Sequence, residues 1–133
     1  MEREIAKTHT VKIAGRIFTL AFTLRAMLMM QRDIEGFDFN DLDKLAAKPD
    51  SMLDMLYILA DNGAKLEDRD LDVDKDWFAL HIPASLRKLI SIRISILETL
   101  ADGMNMETEE DDEHSLEVDV VLQEIQKKRE KTD

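Results

Sequence analysis

With 133 residues the chain has room for one ordinary domain plus a tail. Its 29 Asp and Glu against 18 Lys and Arg give a formal charge of -11, which repels phosphate and argues against direct nucleic-acid binding. The lack of cysteine excludes disulfides, a thiol nucleophile and Cys-ligated zinc, and no apolar run approaches the roughly 20 residues needed to span a bilayer.

Residues 1–7 read as a polar lead-in. The opening MEREIAKTHT is charged and holds no apolar signal region, so the expectation is a soluble, cytoplasmic chain with no membrane partner. From Thr8 to Phe22 apolar and polar residues alternate: Val11 and Ile13, then Phe18, Leu20 and Phe22. Ala14-Gly15 lies between the two runs, which predicts a β-hairpin with Gly15 in the turn. A lone hairpin is marginal in water, so its Phe-bearing face must rest on helices.

Thr23 is placed to cap a helix over 24–35, stopped by Gly36. On it Met27, Met30 and Ile34 share a face with Leu24 and Leu28; Gln31 falls inside that face and Met29 lies off it. Asn40 is placed to cap a short helix over 41–47, ended by Pro49. Ser51 and Asp54 resemble a capping box that opens a third helix, with Gly63 as its C-terminal cap. Met52, Met55, Leu56 and Leu59 form the apolar stripe of that helix.

Residues 65–76 read as an acidic connector, followed by a short apolar patch of Trp77, Phe78, Leu80 and Ile82. Pro83 suits the first turn of a long helix over 84–102. Its apolar residues cover an arc of roughly 200°, which implies burial on more than one side and suggests the central helix of the fold. Residues 103–114 form an acidic linker containing Glu107–Glu113, a run that repels itself. Ser115 then introduces an amphipathic helix with a narrow stripe of Val118, Val121, Leu122 and Ile125. Such a stripe fits a groove, a sister helix or the chain's own domain.

Few constellations point to chemistry. Asp70, Asp72, Asp74 and Asp76 alternate like a calcium loop, yet no register supplies the Gly and bidentate Glu that an EF-hand requires. His9, His81 and His114 are scattered, no nucleophile elbow is present, and the four glycines form no phosphate loop. No catalytic residue, metal or cofactor is therefore assigned. Arg93 falls inside the apolar arc of the long helix, where it must pair internally, snorkel or meet a partner. The methionines Met27, Met29, Met30, Met52 and Met55 lie on two neighbouring helices, as core filler or as an adaptable groove.

The segment Thr10-Val11-Lys12-Ile13-Ala14-Gly15-Arg16-Ile17-Phe18-Thr19-Leu20, followed by Thr23-Leu24-Arg25-Ala26-Met27, resembles the opening of tail assembly chaperones of long-tailed phages and prophages of Gram-positive bacteria. Ser51–Leu59 and the helix end Ile94–Leu100 are similar as well, so the resemblance covers about residues 10–102. It rests on apolar pattern and brings no catalytic residues. What it implies is a non-enzymatic protein that binds the tape measure protein and keeps it soluble while tail-tube protein polymerises around it. The resemblance also implies absence from the mature particle, and a longer frameshifted product in many members.

The resulting expectation is an α+β, mainly α domain over 8–102: an N-terminal β-hairpin packed on a small helical bundle, with an amphipathic helix on an acidic tether over 115–133. Partner-binding candidates are Met27, Met29, Met30, Met52, Met55 and Arg93, with Val118, Val121, Leu122 and Ile125. Self-association through the hairpin edge or the last helix is a further expectation. The rival reading is an acidic regulatory or inhibitory protein that mimics nucleic acid through the Glu107–Glu113 run. An enzyme built on a buried carboxylate is the third.

Overall fold

The computed structural model describes residues 7–104. The acidic linker expected beyond Met104 and the C-terminal helix, with Val118, Val121, Leu122 and Ile125, lie outside the described residues. Within them the fold is α+β and mainly α, a two-stranded antiparallel hairpin packed on five helices.

β1 (Thr8–Ile13) pairs with β2 (Arg16–Ala21) in a register that sets Val11 opposite Phe18 and Ile13 opposite Arg16. The two-residue turn holds both Ala14 (φ 52°) and Gly15 (φ 79°) in the left-handed region, as a type I′ turn demands. Period-two alternation then sends Val11, Ile13, Phe18 and Leu20 into the core and leaves Lys12 and Ile17 outside.

α1 (Leu24–Asp33) begins as expected, with the Thr23 hydroxyl accepting from the Ala26 amide at 3.1 Å. Its buried face differs from the expected one. Ala26, Met30 and Ile34 turn inward, whereas Leu24, Leu28 and Gln31 are exposed. A 3-10 turn over Phe39–Asp41, capped by Asp38 rather than Asn40, leads into α2 (Leu42–Ala47).

α3 (Pro49–Leu66) is the central helix, a place expected of the long helix that follows it. It buries Met52, Met55, Leu56, Ile58, Leu59, Ala60 and Ala64 together with Ser51, Asn62 and Gly63. Pro49 occupies its first turn, so Ser51 is no N-cap; the Ser51 hydroxyl instead donates to the Leu45 carbonyl and ties α3 to α2. Gly63 is no C-cap either. It sits inside the helix because a Cβ there would fall 1.9 Å from the Thr19 carbonyl oxygen, where α3 crosses the backbone of β2. Buried Asn62 ties α3 to the start of α1. Its amide oxygen accepts from the Thr23 hydroxyl (2.8 Å) and from Arg25 (3.2 Å), and its amide nitrogen donates to the Ile58 carbonyl (2.7 Å).

The stretch expected as connector and patch contains a helix, α4 (Lys75–His81). Asp74 caps it by accepting from the Trp77 amide at 2.8 Å. α4 turns Phe78 and Trp77 onto Phe18 of the hairpin in edge-to-face contact, with ring centroids 5.0 and 5.5 Å away, and Arg16 lies over the Trp77 ring. α5 (Leu86–Met104) starts after Pro83, with the Ser85 hydroxyl accepting from the Lys88 amide. It buries only Ile92, Ile96, Thr99 and Leu100.

Candidate functional site

The apolar arc of α5 divides into two faces. At about 100° per residue, Ile92, Ile96, Thr99 and Leu100 point one way, into the core. Leu86, Ile90, Ile94, Leu97, Ala101 and Met104 fall within roughly 80° of one another on a different face. That second face looks outward: Leu86 is 75% exposed, Ile90 44%, Ile94 49% and Met104 48%, while Leu97 is half-buried. The result is a continuous apolar seam along the whole helix, roughly 28 Å at 1.5 Å per residue. Scattered exposed apolar residues are ordinary; five in one row along one helix, with half-buried Leu97 among them, are not.

Neighbouring elements raise walls at both ends of the seam. Near its start, Ala46 and Ala47 of α2 and Pro49 and Met52 of α3 face Leu86, Leu89, Ile90 and Arg93 across a groove. Near its end, Phe22, Leu24, Met27 and Phe39 face Gly103 and Met104 across another. Leu24 and Leu28, one turn apart on α1, add exposed apolar surface on this side of Met27. Both grooves are lined mainly by apolar side chains.

Arg93 stands on the border between seam and core. Its guanidinium donates through Nη2 to Asp43 of α2, the internal pairing among the three arrangements expected of this residue. Its Nε is buried and has no acceptor among the described residues. A buried donor without an acceptor is costly, so this nitrogen is an energetic liability within the fold, while the rest of the side chain, 34% exposed, faces the seam's border.

The other sequence candidates divide. Met30, Met52 and Met55 are core residues, and only Met52 also reaches a groove wall. Met27 lines the second groove. Met29 is half-buried, its sulfur 3.5 Å from the Asn62 amide nitrogen, so it packs on α3 rather than presenting a free surface. The seam itself was missed. Its signal was the 4-3-4-3 spacing of Ile90, Ile94, Leu97, Ala101 and Met104, hidden inside a wider arc.

The polar constellations have structural partners. Asp70 pairs with Lys65 at 2.5 Å and Asp72 with Arg16 at 2.6 Å, and the hydrogen bond from each cation holds the carboxyl below its ordinary range. Asp74 caps α4, so the alternating aspartates do not converge; among the described residues no group of His, Asp or Glu is arranged to hold a metal. His9 lies 2.6 Å from Asp102 and joins β1 to α5, while His81 stacks on Trp77. Among the described residues no helix is long and apolar enough to cross a membrane.

Compared with family models, with curated proteins and with solved structures, the chain shows no match.

Proposed function

We propose that this chain is a non-enzymatic tail assembly chaperone of a long-tailed phage or prophage. It acts in the host cytoplasm and holds the tape measure protein until tail-tube protein polymerises around it. The observation that carries the reading is the solvent-facing seam from Leu86 to Met104, walled at both ends by apolar grooves. A tape measure is a long helix with an apolar stripe. Such a stripe lies in a groove through residues spaced three and four apart, the spacing that the seam itself presents. The -11 charge of the chain keeps a complex with exposed apolar client segments from precipitating.

The mechanism requires no bond chemistry. The seam and its two grooves cover part of the client's stripe, and the client is released when tube subunits bury that stripe instead. The test is co-expression of the neighbouring tape measure gene with this chain or with its Ile90→Asp/Ile94→Asp variant. Soluble tape measure with the parent chain and insoluble tape measure with the variant are expected. Equal insolubility in both cases refutes the function.

A further inference from the structure

The seam has a heptad register of its own, and that register names an occupant. With Ile94 and Ala101 at a, the residues at d are Ile90, Leu97 and Met104, the a/d rows through which two helices interlock. The Ile94–Leu97 heptad has the Ile-at-a, Leu-at-d pair that favours two strands. In this register Arg93 is a g residue and Glu98 an e residue. A parallel, in-register pair of α5 helices brings g of one copy against e of the next heptad in the other, five positions on. Arg93 and Glu98 are five positions apart and opposite in charge, and a two-fold axis makes the contact twice. The Arg93 side chain, 34% exposed and already paired with Asp43, can add the Glu98 carboxylate, itself 58% exposed, as a second acidic neighbour. An antiparallel pair sets g against g and e against e, and joins no opposite charges.

We propose that, without a client, the seam is closed by the same seam of a second copy of this chain, the two α5 helices running parallel. The next a position outward is Arg87, so the interlocking part spans only Ile90–Met104. That is about two heptads, enough for a reversible dimer and too little for a permanent one. The inference rests on the seam being a docking surface and not on the identity of the client. In the chaperone reading, a client helix with a longer stripe displaces the second copy.

The test uses the purified full chain without any client, so its failure is distinct from failure of the co-expression experiment. Sedimentation equilibrium is expected to show a reversible monomer–dimer equilibrium. Glu98→Arg, at an exposed position 3.9 Å from His9 and with its fold checked by circular dichroism, should weaken it by at least about tenfold, since two attractive contacts become repulsive. Ile94→Asp abolishes it. The chain has no cysteine, so single replacements report orientation directly: Ile90→Cys oxidises to a linked dimer if the helices are parallel. A monomer at every concentration, a dimer indifferent to Glu98→Arg, or cross-linking of Ile90→Cys to Ala101→Cys instead of to itself overturns the proposal.

Discussion

Replacing Gly63 by Ala tests how the hairpin is held on the bundle. In an exposed helix interior the change stabilises by about 1 kcal/mol, because Gly is the poorer helix former. Here the added carbon falls 1.9 Å from the Thr19 carbonyl oxygen, 2.5 Å from its carbon and 3.2 Å from the Leu20 nitrogen. All three are backbone atoms inside a paired strand, so no rotamer change relieves the overlap. A carbon–oxygen contact needs more than about 3 Å, so α3 and β2 must separate by roughly an ångström. That separation would loosen Leu20, Leu59 and Ala60 from their packing, all of which are buried. Overpacking costs typically 1–3 kcal/mol and more where backbone must move, so a net loss of about 3 kcal/mol is expected. At about 4–8 °C per kcal/mol for a domain of this size, the melting temperature falls by roughly 12–24 °C. Calorimetry or thermal circular dichroism on the full chain measures it. A variant as stable as the parent, or more so, refutes the close crossing of α3 over β2.

Three further outcomes follow from particular contacts. Ala14→Gly removes a Cβ from a left-handed residue and should stabilise the hairpin by about 0.5–1 kcal/mol, read as a rise in the urea midpoint. Asn62→Leu leaves the Thr23 hydroxyl without its acceptor and the Ile58 carbonyl without that donor, while Arg25 keeps Asp61, and should cost about 2 kcal/mol in the same assay. For pH, Asp72 is lowered below its ordinary 3.8 chiefly by the hydrogen bond from Arg16, and Asp70 by that from Lys65. A carboxyl lowered by folding contributes stability that is present above its unfolded value and lost as pH falls through the folded one. Melting temperature should therefore drop below about pH 4, less steeply in Asp72→Asn and less steeply in about 1 M salt, because these pairs are exposed to screening. An acid limb of unchanged slope in the variant would contradict the pairing with Arg16.

The hairpin was legible because two local signals agreed, the alternation around Val11 and Phe18 and a turn containing Gly15. α1 and α3 were legible from spacing, α2 from the cap-type residues before it and Pro49 after it, and Thr23 from its place before an apolar run. α4 was not. Its seven residues are too few for a helical period to stand out, and its cap, Asp74, is one acid in a row of them. Gly63, a glycine after an apolar run, carries the local signal of a helix stop. Its true reason is a strand backbone more than forty residues away in sequence, which no local pattern contains. The site suffered the same loss. The breadth of the α5 arc was visible, but which half faces the core is decided by where α3 and the hairpin lie. The methionines show the reverse case: Met30 and Met55 carry the flexible side chains of an adaptable surface yet fill the interior.

Two isoleucines on α5 separate the faces of that helix in one experiment. Ile92 is fully buried and Ile94 is half exposed, although they are neighbours but one on the same helix. Ile92→Ala removes methyl and methylene groups from the close-packed core and should cost about 3 kcal/mol. Ile94→Ala removes a side chain only half withdrawn from water, worth about 1 kcal/mol, and the better helix propensity of Ala offsets part of that. Urea unfolding at a concentration low enough to keep the chain monomeric should therefore place the two variants about 2 kcal/mol apart. The order should reverse in binding, because the proposed contact falls on exposed Ile94 while Ile92 is buried in its own fold. Equal losses of stability would mean that Ile94 already has a packing partner in the monomer. The seam would then be ordinary core, with no surface left for a client helix or a second copy.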